Sequence, residues 1–481
     1  MKLLTLILFI LSIATASYPG IRSSINISAL NGLKSKYLPK LIAKITASDL
    51  PPKDFSFNFL LIPAKLTLSN ITVTDFNINQ NATSFNTSQS ENTILLTFAN
   101  VSCTVTADFK YHYPITTSGE VTIQFSDVSI QVPMKMDIKK GEFVAIIEKA
   151  RINEDLVTVK FIANSGMANF FGNIFEIWPI KNIAQHIYKS SLEKISLYYN
   201  TDLQNLLGSI NYTNNYPGYR ISNDFHIFEL QTNNQDIQLL QNGTFFPTYD
   251  EGQLNPVVPP NILPNFVSPN ALRIQLTEYF FDTLAWSVFA SGSLNFYIKS
   301  ETIPSSFPYV FTTSGLSKII PNFSTIYGPN LPVDLDCSVY KIPDMSIQST
   351  VDIYASIYCD VMVRVAPTAS VAAFRLLAQL QSSFSGSLQV VDSSLYLFGE
   401  LDQENSLLTN YAVVNSNMGT FNINGLVKAL NFYTYYLVLQ ANKKLGDVGI
   451  LLPIPAGITF KQANLYTYAG AVEIGGEPIL V

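Results

Sequence analysis

Long period-2 alternation, only four helical patterns and a proline-rich break near the middle of the chain together predict an α+β protein. Strongly bent antiparallel sheet should dominate it, and one plan should be built twice. Val351, Ile353, Ala355, Ile357, Cys359, Val361, Val363 and Val365 alternate with Asp352, Tyr354, Ser356, Tyr358, Asp360, Met362 and Arg364. That is a strand of about fifteen residues, where five or six is usual. A second stretch runs Val121, Ile123, Phe125 and then Val128, Ile130, Val132, Met134, Met136, so its phase slips by one at Ser126-Asp127. Leu66 and Leu68 followed by Ile71 and Val73 slip in the same way at Ser69-Asn70. A slip of one residue is what a β-bulge produces, and bulged long strands bend.

The helical patterns come in two pairs. Residues 29–46 place Leu30, Leu33, Tyr37, Leu41 and Ile45 on one stripe, with Lys34, Lys36, Lys40 and Lys44 off it. Pro39 is expected to kink or break that helix. Residues 173–209 carry Phe175, Ile180, Ile183, Ile187, Leu203 and Leu207. A third helix should start at Thr277 as N-cap and run from Glu278 to Ala290, with Phe280, Phe281, Leu284, Ala285 and Val288 apolar and Gly292 near its end. A fourth covers Leu426 to Lys444, and Lys443-Lys444 suits a helix C-terminus.

Between the second and third helices, Pro247 through Pro269 has no periodicity and reads as an extended linker. The expected division is a leader over 1–16, an N-terminal barrel over 17–245, a linker over 246–272 and a C-terminal barrel over 273–481. Each half then has the order helix, long strands, helix.

Hydrophobic residues make up 47% of the 481 and charged residues 13%, about half the charged share usual in soluble domains. Past the N-terminus no apolar run reaches the roughly 18 residues a membrane helix needs. Binding apolar ligands is one way such a chain can stay in water. Residues 17–245 hold 18 basic and 18 acidic side chains, and residues 246–481 hold 10 and 17. Without a basic stripe, nucleic acid is not an expected partner.

Lys2, the apolar run Leu3–Leu11 and the small residues of Ala14-Thr15-Ala16 form a secretory leader, with the mature chain starting at Ser17. Export would expose eight glycosylation sequons, at Asn26, Asn70, Asn81, Asn86, Asn100, Asn211, Asn242 and Asn322. The protein is expected to be extracellular and monomeric. Of three cysteines, Cys103 lies in phase with Val101 and Val105 and reads as a buried thiol. Cys337 and Cys359 sit on apolar strand faces, either bridged or as two thiols.

Sites for chemistry are sparse. His112, His186 and His226 are the only histidines, and none has a partner at metal-ligand spacing. No G-x-S-x-G elbow, phosphate loop or dinucleotide fingerprint occurs. No catalytic residue, metal or cofactor is therefore expected. A non-sequential Ser–His–Asp set using His186 or His226 keeps a secreted lipid or ester hydrolase open as an alternative. A structural surface glycoprotein with filled apolar faces is another.

Leu276-Thr277-Glu278-Tyr279-Phe280-Phe281-Asp282-Thr283 resembles the opening of the C-terminal half in the family of bactericidal permeability-increasing protein, lipopolysaccharide-binding protein and cholesteryl ester transfer protein. Ser300-Glu301-Thr302-Ile303-Pro304 resembles the family's D-x-x-I-P. Pro19-Gly20-Ile21, Ser118-Gly119-Glu120-Val121, Asn442-Lys443-Lys444-Leu445 and Leu452-Pro453-Ile454-Pro455 follow the family's order across residues 19–470. The resemblance implies a boomerang of two pseudo-symmetric barrels, each a twisted antiparallel sheet wrapped around a long helix and joined by a central sheet. Each barrel would take phospholipid-like acyl chains in an apolar pocket. The implied partners are phospholipid or another amphipathic lipid and, transiently, a membrane surface. The implied role is lipid binding or transfer, extending to bacterial lipid or lipopolysaccharide in innate defence.

Leu30, Leu33, Tyr37, Leu41, Ile45, Ile180, Ile183, Ile187, Phe280, Phe281, Leu284 and Val288 are then the expected acyl-chain contacts. Two departures bear on the lipid. Cys103 is the sole cysteine of the N-terminal half, so the disulfide of the family's mammalian members is absent. Basic residues there come in short pairs such as Lys139-Lys140, balanced by Glu142, whereas a polyphosphorylated head calls for clustered cations. Lys34, Lys36, Lys40, Lys44 and Lys53 could assemble such a patch only through the fold.

Overall fold

The computed structural model describes residues 19–28, 30–31, 39, 42–43, 49–59, 62–88, 92–113, 115–148, 150–153, 158–163, 189–190, 193, 200–201, 204–205, 207–248, 255–259, 263–303, 305, 307, 309–392, 394–447, 449–452 and 458–480. The chain forms two compact units: Ser24–Ser209 with Glu229–Gln238, and Met1–Ser23 with Ile210–Phe228 and Leu239–Val481. The cut drawn from composition at residue 245 therefore differs from the cut by compactness. Residues 210–228 and 239–245 pack with the C-terminal unit.

The N-terminal unit is one curled nine-stranded sheet. Its main strands are β1 (Ile62–Asn77), β2 (Ser84–Ser88), β3 (Thr93–Tyr113), β4 (Ile115–Lys139) and β5 (Glu142–Ile147). β1 pairs with β3, β3 with β4, β2 with β3 and β5 with β4, all antiparallel. The bulges fall where the phase slips. Between β1 and β3, Ser69 faces Asp108 but Thr72 faces Thr106, leaving one extra residue at Asn70. Between β3 and β4, Val101 faces Val128 but Cys103 faces Phe125, so the extra residue sits at Ser126-Asp127. Asn70 and Asn100 both take positive φ, 48° and 55°, a conformation Asn tolerates better than most side chains. Two strands of 21 and 25 residues can curl only by absorbing such extra residues. The inner face carries Leu66, Leu68, Ile71, Val101, Val105, Phe125 and Val128.

Ile42 packs onto the core of that face, and Leu30, Asn31, Pro39, Ile42 and Ala43 are all helical. Pro39, expected to kink or break the helix, is itself helical, and its immediate neighbours lie outside the described residues. In the second helical region Asn200 fastens the helix to β5. Its Oδ1 accepts from the Ile147 N–H at 2.8 Å, and its Nδ2 donates to the Ile147 carbonyl at 3.3 Å. Gln204 Nε2 adds a bond to the Ala145 carbonyl, at 2.8 Å. These amides satisfy backbone groups that an edge strand otherwise leaves open.

The C-terminal unit holds an eight-stranded curled sheet. It contains β6 (Val333–Val339), β7 (Asp344–Ile347), β8 (Val351–Ala366), β9 (Ala369–Val391) and β10 (Ser394–Leu401). β8 is the long alternating strand expected from Val351 to Val365, except that Val365 is exposed. Cys337 faces Cys359 across β6 and β8, and the two are bridged, with Cα atoms 4.1 Å apart. Cys103 is buried outside that bridge. The helices are α1 (Glu278–Ala290), the short α2 (Thr313–Leu316) and α3 (Phe323–Tyr327), and α4 (Asn424–Asp447). α1 has its expected bounds, but the Thr277 hydroxyl does not cap it. That hydroxyl bonds instead to the Pro19 and Gly20 carbonyls, at 2.9 and 3.2 Å.

α4 is longer than its apolar pattern and is fastened as the N-terminal helix is. Asn442 Oδ1 accepts from the Leu401 N–H and Nδ2 donates to the Leu401 carbonyl, both at 2.8 Å. Further sheets have the orders Thr213–Tyr216, Ile221–Asp224, Thr244–Pro247, and Ile227–Thr232, Asp236–Gln241, Ile21–Asn26, Leu272–Thr277, β11 (Ala471–Leu480), Ile458–Tyr468.

Past Pro247, which closes the strand Thr244–Pro247, the proline-rich segment has no regular secondary structure over its described residues, yet it is a clamped strap. Glu473 of β11 is fully buried. It accepts from the Val267 and Ser268 N–H groups at 2.8 and 3.0 Å and from the Tyr468 hydroxyl at 3.0 Å. Gln275 Nε2 holds the Pro264 carbonyl at 3.0 Å, and Arg22 and Arg273 both stack on Phe266. Gly475 leaves room for the strap, since a Cβ there would lie 2.3 Å from the Ser268 hydroxyl.

Candidate functional site

The acyl-chain contacts expected from sequence divide into three groups. Leu33, Tyr37, Leu41, Ile45, Ile180, Ile183 and Ile187 lie outside the described residues, as does His186. Leu30 is helical and half-buried. The third group, on α1, is occupied by protein. Phe280 is fully buried, packing at 5.0 Å between ring centroids against Phe245, at 6.1 Å against Phe225 and at 5.1 Å against Phe281. Leu284 and Val288 pack half-buried on the same cluster. Edge-to-face rings at these distances add about 0.5–1.5 kcal/mol per pair beyond burial. The stripe of α1 thus packs on protein side chains at Phe280 and Phe281, while Leu284 and Val288 keep part of their surface open.

Among the described residues an apolar cavity lies under α4. Leu426, Ala429 and Leu430 of α4 face Leu335 of β6, Cys359 and Val361 of β8 and Leu376 of β9, with Phe311, Leu316 and Ile320 closing the end. No polar group lines the cavity, which measures about 10 Å³, the room of a single water molecule. An alkyl chain would enter only by displacing α4 or rearranging these side chains. Sequence reasoning missed this site, although Leu426, Ala429 and Leu430 repeat at helical spacing. Outside the packed stripe α4 exposes Phe432 and Tyr435, and Phe307 meets Phe432 at 5.2 Å.

The motif Ser300-Glu301-Thr302 forms a 3-10 turn locked by charge. Asp334 is 1% exposed. It receives three bonds from Arg364 at 2.7–3.1 Å, the Tyr297 hydroxyl at 2.8 Å and the Ser300 N–H at 2.9 Å. Arg364 also pairs with Glu301. Burial pushes the Asp334 carboxyl up, but the bonds from Arg364, Ser300 and Tyr297 outweigh it and hold it below the usual range. The bond from Arg364 lowers Glu301 to about 2. Asp282 on α1 behaves oppositely: burial first, then the charges of Glu278 and Asp344, raise it to about 7.

His226 is half-buried beside Asp224. Its Nδ1 lies 2.6 Å from Asp224 Oδ1, its ring stacks on Tyr212, and Asn242 takes the other Asp224 oxygen at 2.8 Å. Among the described residues no group of three His, Cys, Asp or Glu is placed to hold a metal, and no helix is long and apolar enough to cross a membrane.

Comparison with known proteins agrees with this architecture. The C-terminal domain of the LBP / BPI / CETP family, as a family model, matches residues 224–477, just over half of the chain. Bactericidal permeability-increasing protein of Rattus norvegicus is 28% identical over 229 residues, 47% of this chain and 45% of that protein. The match thus spans less than half the relative's length. The crystal structure of lipopolysaccharide binding protein superposes with a TM-score of 0.59 at 17% identity, covering 96% of this chain and 99% of that one, a likeness of fold. Two curled sheets with few helices, and a family match over the larger part of the C-terminal unit, place this chain in the LBP/BPI/CETP family.

Proposed function

We propose that the protein is a secreted, non-enzymatic lipid carrier that holds acyl chains of phospholipid or a similar amphipath inside its barrels and meets membrane surfaces transiently, as a monomer. Family membership over residues 224–477 carries this reading. The wholly apolar lining under α4 supports it, because a chain with no hydrogen-bonding groups needs only such walls. In the C-terminal barrel the ligand enters by lifting α4 from β8 and β9. In the N-terminal barrel the contacts are Leu30, Leu33, Tyr37, Leu41 and Ile45 with Ile180, Ile183 and Ile187. The balanced charge of residues 17–245 in the sequence weighs against lipopolysaccharide and toward zwitterionic lipid; Lys34, Lys36, Lys40 and Lys44 lie outside the described residues.

Native mass spectrometry of the protein secreted by a eukaryotic host, followed by organic extraction, tests the proposal. Two phospholipid-sized ligands per chain are expected, one per barrel. Leu430→Asp should remove one of them, because an unpaired carboxylate among apolar walls is costly. A chain without extractable lipid, or unchanged stoichiometry in Leu430→Asp, defeats the respective part. Hydrolysis of ester lipids abolished by His226→Ala would favour the hydrolase.

A further inference from the structure

The eight sequons are alike in sequence, and the structure separates them. Asn70, Asn86 and Asn100 are all exposed on β1, β2 and β3 of the N-terminal unit, and Asn81 is exposed on the turn between β1 and β2. The three strand positions share one face. Along β3 the core takes Phe98, Val101, Cys103 and Val105, while Asn100 is the bulged residue that points away. Asn70 is the bulged residue of β1 and donates from Nδ2 to Asp108 Oδ2, an exposed pair at 2.6 Å. Asn86 lies opposite Leu95 in the register of β2 with β3. The surroundings are hydroxyl-rich: Thr72 and Thr106 bond each other at 2.6 Å, and Thr74 bonds the Thr104 carbonyl. Such a face is already built for water, and hydrated sugar costs it nothing.

Asn242 is the opposite case. It is half-buried, and its Nδ2 is spent on Asp224 beside the His226 ring. Its own carbonyl accepts from the Gly20 N–H at 2.9 Å. The backbones there touch through two glycines: a Cβ on Gly20 would lie 2.5 Å from the Asn242 carbonyl, and one on Gly243 would lie 2.7 Å from the Gly20 Cα. A sugar on Nδ2 would have to be driven into this crossing as the chain folds.

We propose that N-linked oligosaccharide at Asn70, Asn86 and Asn100, with Asn81 beside them, shields the outer face of β1–β3, and that Asn242 in the folded protein carries none. In the transfer, the amide nitrogen bonds to the anomeric carbon of a lipid-diphosphate oligosaccharide. The anomeric C–O bond breaks, the lipid diphosphate leaves and the amide loses one proton. The proposal rests on the export reading, and it goes further: a face under sugar is not a lipid-contact face, so membrane encounters use other surfaces.

Glycopeptide mapping tests it on the full chain secreted from a eukaryotic host, with a glycosidase in ¹⁸O water marking each occupied Asn. A parallel arm replaces residues 1–16 by an established leader. Expected are marks at Asn70, Asn86 and Asn100 on most molecules, an unmarked Asn242, and phosphatidylcholine vesicle binding unchanged by deglycosylation. Asn242 marked in secreted, folded protein overturns the proposal. So do the three sheet sequons left empty in either arm, or vesicle binding changed several-fold by sugar removal. Secretion only with the replaced leader defeats the export reading alone, because the map is still read from that arm.

Discussion

Removing Arg364 should expose how much the C-terminal barrel depends on one ionic lock. Asp334 is almost wholly buried and takes five donated bonds, three of them from Arg364. Breaking a buried pair by deleting one partner costs about 3–5 kcal/mol, since the other charge stays buried. Here Tyr297 and Ser300 still serve Asp334, and the Arg364 side chain is 22% exposed, so Arg364→Met should cost about 3 kcal/mol. Asp334→Asn should cost less, because Glu301 still pairs with the guanidinium and the amide oxygen still accepts. The double variant should recover at least about 1.5 kcal/mol of the sum, a coupling expected only of groups in contact. Urea denaturation followed by the fluorescence of Trp286, buried in this unit, reads the change, with Trp178→Phe as background. A cost below about 1 kcal/mol for Arg364→Met, or coupling near zero, would refute the lock.

Asn442→Ala and Asn200→Ala should each lower stability by about 1–3 kcal/mol, because each strands one N–H and one carbonyl of a half-buried strand residue. A silent Asn442→Ala in denaturant titration rejects the clamp. Asp282 titrates near 7 in the fold against 3.8 in the open chain, so the stability it contributes is full in acid and lost as pH rises through about 7. Asp282→Asn should therefore flatten the stability profile between pH 5 and 8, a gain of about 1–2 kcal/mol at pH 8 after allowing for partial exposure. Glu301 and Asp334, both lowered, lose their contribution only well below that window. An unchanged slope would show that Asp282 stays ionised. Balanced charge in residues 17–245 and an acidic remainder predict weak binding to anionic vesicles, nearly constant from roughly 0.05 to 0.5 M salt, where screening shortens from about 14 to about 4 Å. A steep loss with salt would reveal a cationic patch assembled by folding.

What was legible in the sequence was whatever the backbone writes into local pattern. The slip at Ser126-Asp127 shows because period 2 makes one extra residue visible, and α1 shows its bounds through Thr277 and Gly292. What was not legible depends on partners distant in sequence. The stripe of α1 looks the same whether it meets lipid or Phe225 and Phe245, and only the fold brings those rings to Phe280. Glu473 reads as an ordinary strand charge, because its partners are backbone N–H groups two hundred residues away. The cavity under α4 draws its walls from five separate segments, so no window of sequence contains it.

The paired amides explain what an apolar helix on a curled sheet lacks. Hydrophobic contact is non-directional, so the stripe of α4 fixes which face turns inward but not how far the helix slides along its axis. Asn442, bonded twice to Leu401, sets that position at one end, and Asn200 does the same for the helix of the N-terminal unit at Ile147. Asn442 anchors α4 near its C-terminal end, and Asn431, whose Oδ1 accepts from the Leu408 N–H at 3.2 Å and the Tyr411 hydroxyl at 2.8 Å, anchors its middle, which leaves the first turns, with Leu426 and Ala429, held chiefly by packing. Packing can be exchanged for contact with an alkyl chain at little net cost, whereas a stranded buried N–H or carbonyl cannot. The division suits a carrier: polar bonds keep the helix in register while the apolar end yields to the guest.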